Sequence, residues 1–252
     1  PKSLGLRTTP WIVLVAGTPA VAPALADAPH TQKQTPPVQM GTSGGSVADK
    51  SSLYCCSGTL GSLVKRDGVL SILSNNHVLA RSGLAQAGED TMQPGFVDTG
   101  CAVTGNIVGD FAGDLAPLGK GNVDAAISTA RSNVDATGAI LNVGVPCASV
   151  QTPVVGLAVA KSGRTTGYTT GSIQAVNTSV TIQYQKGCGT GKKFNVTYTN
   201  QIAIGGSGFS AGGDSGSLIV SNDGSPNPVG LLYAGSSSTT IANTASAVIS
   251  AF

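Results

Sequence analysis

The chain has 252 residues, of which 35 are glycine and only 10% carry charge, and its formal net charge is +2. That length suits one large all-β domain or two small ones. A charge this small and scattered excludes the basic surface that binding to nucleic acid needs. Short apolar runs are broken by Gly, Ser, Thr and Asn, and no long segment has a 3.6-residue apolar period. The composition therefore predicts strands joined by tight turns.

The first 26 residues have the pattern of an export signal. Lys2 and Arg7 give a positive start, an apolar run begins at Trp11, and Ala24-Leu25-Ala26 offers a cleavage site. The alternative is an N-terminal strand of the folded domain. No later apolar segment reaches the roughly 18 residues of a membrane span. We therefore expect an exported protein whose mature form has no contact with a membrane.

Residues 27–45 are rich in Pro, Gln and Thr. Such a segment is too polar to build a core, so the sequence predicts a flexible linker. His30 lies inside it and is interpreted as a solvated residue. Folded sequence is expected to begin near Ser46.

Three predicted strands, at 54–60, 63–65 and 68–74, lead to His77. A single histidine at the end of a buried strand is more often structural than catalytic. However, the chain has only two histidines, and the other is His30. His77 is therefore the candidate for a general base near neutral pH.

A candidate partner for that histidine is Asp124, which interrupts the apolar residues of a predicted strand at 121–128. A partly buried carboxylate needs a partner. The N–H of His77 would satisfy it, and the carboxylate would in turn fix the imidazole tautomer. The alternative is an aspartate of an ordinary turn. Competing candidates in looser surroundings are Asp110, Asp114 and Asp135.

The stretch at 209–218 requires a sharp and crowded turn around Ser215. Gly212, Gly213 and Gly216 permit conformations that are closed to residues with a Cβ. A serine held in this way can attack a carbonyl, while the N–H groups of Gly213 and Ser215 stabilise the oxyanion. A surface turn is the alternative if the stretch is taken alone.

Taken together, these motifs resemble the chymotrypsin-like serine proteases. The resemblance rests on the order His77, Asp124, Ser215 and on the runs Cys-Ser-Gly-Thr-Leu, Asn-His-Val-Leu-Ala, Val-Asp-Ala-Ala-Ile and Gly-Gly-Asp-Ser-Gly-Ser. Residues 161–167 are similar to the segment that opens the second barrel in secreted bacterial members. An α/β-hydrolase does not fit, because its triad runs Ser, Asp, His and its Gly-x-Ser-x-Gly motif is not met.

The resemblance implies an all-β fold of two packed six-stranded antiparallel β-barrels. The first, at 46–145, would carry His77 and Asp124, and the second, at 146–252, would carry Ser215. It also implies a secreted bacterial serine endopeptidase that acts on polypeptides through an acyl-enzyme, without cofactor or metal ion. We expect a monomer. Two alternatives stay open: a catalytically silent binding module of the same fold, and an esterase on this scaffold.

The resemblance also places the substrate pocket. Its walls would be Phe209, Gly212, Ala234, Gly235 and Ser236. A phenylalanine at the first of these positions, in place of an aspartate, argues against a strict preference for Lys or Arg and mildly favours an apolar or small side chain.

The resemblance also leads to the hypothesis that Lys161 forms an ion pair with Asp214 and helps to hold the turn around the nucleophile. In bacterial relatives, an internal basic residue at this place holds the acidic neighbour of the nucleophile. A plain surface lysine is the alternative.

Five cysteines in an exported protein leave at least one thiol unpaired. The family's bridge across the histidine cannot form, because a valine follows that histidine. The predicted bridges are Cys147 with Cys188 in the second barrel, and Cys56 (or its neighbour Cys55) with Cys101 in the first. Metal binding is disfavoured, because no Cys-x-x-Cys or neighbouring histidine is present.

Overall fold

The computed structural model of the chain describes residues 3–10, 15–16, 29–206 and 208–252. The elements in these ranges are mainly strands. In chain order the strands are β1 Ser3–Pro10, β2 Val15–Ala16, β3 Thr42–Ser46, β4 Tyr54–Cys55, β5 Gly58–Leu60, β6 Ser62–Arg66, β7 Val69–Ser74, β8 Asp90–Gln93, β9 Asn106–Leu115, β10 Ala126–Ala130, β11 Ala158–Gly163, β12 Gly167–Gln185, β13 Lys193–Gly205, β14 Leu218–Ser221, β15 Pro228–Gly235 and β16 Thr239–Thr244. The helices are α1 Asn76–Leu79, a 3₁₀ helix Phe96–Thr99 and α2 Ala245–Ile249.

The first sheet has the order β5-β3-β8-β9-β10-β7-β6, and its neighbouring strands are antiparallel. β5 and β6 are separated by a single residue, so they act as one bent strand at the two ends of the order. The sheet therefore curls into a barrel of six strand positions. Its core holds Leu60, Ile72, Val108 and Phe111.

The second sheet runs β12-β11-β14-β15-β16-β13, and β13 pairs back with β12. These six antiparallel strands close a second barrel. β1 pairs with two of these strands, parallel to β12 and antiparallel to β15. Leu218 and Val220 of β14 belong to the same apolar cluster as the core of the first barrel. The prediction of an all-β fold with two packed antiparallel barrels is confirmed.

The predicted flexible linker at 27–45 was wrong for its described part, residues 29–45. Val38 and Met40 are buried in the core of the first barrel, and β3 begins at Thr42. The polar composition of this segment was misleading because its polar groups form hydrogen bonds within the segment. The side chain of Gln34 donates to the carbonyl of Gln39 and to the Thr42 hydroxyl. His30, predicted to be solvated, is only 4% exposed.

Most of the predicted export signal, including Trp11 and the cleavage site Ala24-Leu25-Ala26, lies outside the described residues. The described parts are strands: β1 runs along the second barrel, and β2 pairs with β4 of the first. This is the arrangement of the alternative interpretation, an N-terminal strand. The export signal itself stays a prediction. In the described part of the chain no helix has the length and apolar character to cross a bilayer.

The predicted bridge between Cys147 and Cys188 was wrong, and in the first barrel it is Cys55, the alternative to Cys56, that joins Cys101. The bridges are Cys55–Cys101 and Cys56–Cys188, and Cys147 is a free, partly buried thiol. Successive residues in extended chain point to opposite sides. Cys55 therefore joins Cys101 within an apolar cluster of the first barrel, and Cys56 reaches across to the tip of the β12–β13 hairpin.

Candidate active site

The centre of the site is a buried pair of side chains, His77 and Asp124. The Nδ1 atom of His77 lies 2.5 Å from Oδ2 of Asp124, and neither side chain is exposed. The backbone N–H of His77 also donates to Oδ1, at 3.2 Å. The other ring nitrogen, Nε2, is buried and has no hydrogen-bond partner in the described part of the chain. The carboxylate thus fixes the tautomer and leaves Nε2 to accept a proton.

His77 follows β7 in the single turn of α1, as expected from its position after a buried strand. Asp124 differs from the prediction: it lies in the connection before β10, which begins at Ala126. The residue is fixed there by its own backbone. Its N–H donates to the side chain of Asn243 at 2.9 Å, and its carbonyl accepts from Asn75 at 2.7 Å.

A third donor to Asp124, not anticipated from the sequence, is the hydroxyl of Tyr184, 2.7 Å from Oδ2. The Tyr184 hydroxyl is also 2.8 Å from that of Tyr198. Tyr184 gives its only proton to the carboxylate, so Tyr198 must donate to Tyr184. Burial raises the pKa of Tyr184 well above its ordinary value, which keeps the donor protonated. The one available signal was a tyrosine on the buried face of an alternating strand, since a buried tyrosine hydroxyl needs a partner.

Ser215 lies on a tight turn that the first barrel braces. Gly213 and Gly216 have φ angles of 99° and 96°, which favour glycine. A Cβ at Gly216 would lie 2.1 Å from the Ser74 hydroxyl oxygen. Thr59 bonds twice: its N–H donates to the Ser215 carbonyl at 2.8 Å, and its hydroxyl donates to the Gly213 carbonyl at 2.9 Å. β5 of the first barrel is therefore in direct contact with the turn that carries Ser215.

Lys161 and Asp214 lie together beneath this turn, and both side chains are fully buried. The Lys161 Nζ is 3.4 Å from Oδ2 of Asp214 and also donates to the Gly167 carbonyl at 2.9 Å. Asp214 accepts from the N–H groups of Thr165 and Ala211. Burial lowers the pKa of Lys161, against the opposing effect of the Asp214 charge.

His30 extends this buried polar group. Its Nε2 lies 2.9 Å from the hydroxyl oxygen of Ser162, the neighbour of Lys161. Burial lowers the pKa of His30 below its ordinary value of 6.5, the charge of Lys161 lowers it further, and Asp214 opposes the shift. A histidine held neutral in this way makes the fold sensitive to acid.

Acidification is expected to destabilise the protein through His30. Between the lowered folded pKa and the unfolded value of 6.5, the unfolded chain binds more protons, so the free energy of unfolding falls as the pH drops. Replacing His30 by glutamine should remove this part of the dependence. Urea unfolding of both forms at pH about 7.5 and about 5.5 measures it. Equal losses on acidification in both forms would contradict the assignment.

The predicted pocket walls are found in two places. Ala234 and Gly235 lie on β15, and Ser236 follows them. Gly212 is in the nucleophile turn, where its carbonyl accepts from the Thr165 hydroxyl at 2.6 Å. At the edge of β15, Thr9 and Pro10 of β1 pair with Gly235 and Ala234.

Phe209 is buried, with 3% of its surface exposed. Its ring packs in the core of the second barrel with Ile173, Ile204 and Val229. Its carbonyl accepts from the Thr169 hydroxyl at 2.7 Å, which ties its backbone to β12. That its side chain also walls the pocket stays a prediction.

Comparison with known proteins supports the fold. A sequence profile of one family, described as the Nal1 C-terminal domain, matches residues 113–246. This is just over half of the chain and includes Asp124 and Ser215 but not His77. No curated protein matches the chain in sequence.

Several solved structures are similar to the chain. One is a glutamic acid specific serine protease, with 19% identity and a TM-score of 0.57 over 85% of this chain and 97% of that one. Two others are chymotrypsin from Cellulomonas bogoriensis and an alpha-lytic protease homolog, each 20% identical with a TM-score of 0.54 over 85% of this chain, and covering 94% and 96% of the respective relatives. The chain has the chymotrypsin-like serine protease fold.

Proposed function

The chain belongs to the Nal1 C-terminal domain family, and from that membership, its protease fold and its site we propose that it is a secreted serine endopeptidase. The observation that carries the proposal is the buried His77–Asp124 pair. Its 2.5 Å contact leaves the second ring nitrogen without a partner among the described residues. Burying a charged carboxylate and a ring nitrogen without a partner costs free energy, and such an arrangement is typical of an active site.

The mechanism follows from the roles of three side chains. His77 Nε2 takes the hydroxyl proton as Ser215 attacks the acyl carbon, and Asp124 stabilises the imidazolium that forms. The N–H groups of Gly213 and Ser215 hold the oxyanion. The leaving amine takes the proton from His77, and a water molecule then attacks the acyl-enzyme with His77 again as base.

Tyr184 is a positioning residue in this proposal. Replacing it by phenylalanine removes one charge-assisted hydrogen bond to Asp124, and such bonds are stronger than neutral ones. Asp124 is then held by one donor fewer, and it orients the His77 ring less firmly. We expect kcat to fall about tenfold with KM unchanged. Initial rates of the variant and the native chain across a range of substrate concentrations measure this.

Tyr233 offers the matched control. Its hydroxyl is buried but has no hydrogen-bond partner among the described residues, so Tyr233→Phe should leave kcat near the native value. Tyr198→Phe should lower kcat less than Tyr184→Phe does. Equal kcat values for Tyr184→Phe and Tyr233→Phe would show that the Tyr184 hydroxyl fills space only.

The edge of β15 is where an extended substrate would add as an antiparallel strand. Thr9 and Pro10 pair with this edge, so the proposed removal of residues 1–26 would free it. The two disulfides fit an oxidising compartment, which agrees with export. We therefore expect the mature chain, from Asp27, to be the more active form.

A fluorophosphonate probe and casein test the function. The proposal expects a covalent adduct on Ser215 and casein digestion by the mature chain. Folded protein without an adduct would instead be a silent binding module. An adduct together with hydrolysis of short esters, but not of casein, would identify an esterase.

A further inference from the structure

A cavity of about 630 Å³ opens beside the catalytic pair and is not used by the mechanism above. Three segments build it: the turn after α1, the connection from β9 to β10, and the tip of the β12–β13 hairpin. Both barrels thus contribute to it. The lining residues that matter below are Leu115, Leu118, Lys120, Lys186, Lys192 and Phe194.

The cavity shares a wall with the site. The ring of Phe194 stacks on that of Tyr184, with centroids 5.6 Å apart, and Tyr184 donates to Asp124. On the first barrel, Leu115 precedes Ala116, whose carbonyl accepts from Asn76 next to His77. Two stacked rings, those of Phe194 and Tyr184, therefore lie between the cavity and Asp124. A polypeptide crossing the cleft between the barrels would pass its opening.

Three lysines line the cavity, and no carboxylate does. Lys120, Lys186 and Lys192 form no ion pair within the described ranges. Lys186 Nζ is 5.9 Å from the centroid of Phe194. Asp114, the acidic residue closest in sequence on β9, is paired with Arg66 at 2.6 Å. Three positive charges at one cavity repel each other, and an anionic group placed among them would relieve that repulsion.

We propose that this cavity is a subsite for an acidic side chain of a polypeptide bound in the cleft. The proposal rests on the proposed function for its link to cleavage, but not for the binding itself. The apolar walls formed by Leu115, Leu118 and Phe194 suit the methylene groups of a glutamate, and the lysines suit its carboxylate. The subsite would select acidic sequence near the scissile bond.

Binding of a labelled hexaglutamate peptide to the full chain carrying Ser215→Ala tests the subsite, because no cleavage can interfere. Fluorescence anisotropy should show binding that weakens strongly from low salt to roughly 0.5 M salt. Hexaglutamine should bind much less. Replacing Lys120, Lys186 and Lys192 together by glutamine should weaken hexaglutamate binding by about tenfold, since each exposed ion pair contributes modestly.

The matched control replaces Lys33, Lys50 and Lys65, which are also exposed and lie outside the cavity. It changes the net charge equally and should leave binding nearly as in the parent chain. Equal losses in both triple variants, or equal binding of hexaglutamine, would overturn the proposal.

A chain that binds hexaglutamate through the cavity but is not labelled by a fluorophosphonate would contradict the proposed function alone. The cavity lysines can also be replaced in an active chain, and its cleavage of a peptide library profiled. If the preference for acidic peptides stays unchanged, the result would contradict the subsite alone.

Discussion

Under the proposed mechanism, replacing Ser215 by alanine is expected to lower kcat about 10⁶-fold, because His77, Asp124 and Ser215 would act as a unit that loses its nucleophile. The remaining rate should still exceed that in water, since the Gly213 amide and substrate binding persist. The fold should be retained: Thr59 bonds the backbone of residue 215 and the Gly213 carbonyl, not the serine side chain. Casein or peptide hydrolysis by the mature chain, with circular dichroism as a check of folding, measures both.

Ser221 of β14 provides the control. It is a buried serine whose hydroxyl donates to the carbonyl of Ser225, outside the nucleophile turn. Ser221→Ala should cost a little stability and leave kcat within a small factor of the native value. A Ser215→Ala protein that keeps a substantial part of the native rate would show that the hydrolysis has another origin.

Local motifs were enough to predict the structural settings of two candidate catalytic residues. Ser215 and His77 each lie in a short run whose glycines or apolar residues fix the local conformation. Their structural settings agree with the prediction: a glycine-rich turn, and the end of a buried strand. What a single chain does not reveal is which distant residues satisfy a buried group. Tyr184 is 60 residues from Asp124 along the chain, and strand alternation indicates its burial but not its partner.

The cysteines show the same limit at closer range. Cys55 and Cys56 are adjacent, so spacing along the chain cannot decide which of them meets Cys101. The direction of each side chain decides it, and that direction depends on the pairing of β4 with its neighbours. The segment at 29–45 failed for a related reason. Its composition describes an exposed chain, while its glutamines and threonines bond one another and leave Val38 and Met40 free to pack inward.

Replacing Lys161 by methionine is expected to lower the free energy of unfolding by about 3–5 kcal/mol. The lysine itself is not the source of the loss, since burial already disfavours its charged form, as its lowered pKa shows. The loss comes from Asp214, which would stay buried without a cation. For a chain of this length the change corresponds to a melting temperature lower by roughly 10 °C. Because Asp214 also orients the turn that carries the Gly213 and Ser215 amides, kcat should fall as well.

A double variant separates the charge from the packing. In Lys161→Met with Asp214→Asn, no unpaired charge is left, and residue 214 can still accept from the Thr165 N–H. The double variant should therefore recover most of the stability lost in the single one, which guanidinium unfolding measures. The exposed residue Lys65 is the control, and Lys65→Met should change stability by at most about 0.5 kcal/mol. If Lys161→Met were no more harmful than Lys65→Met, the N–H groups and the Thr166 hydroxyl that donate to Asp214 would suffice to hold its charge. The turn that carries Ser215 would then not depend on the lysine.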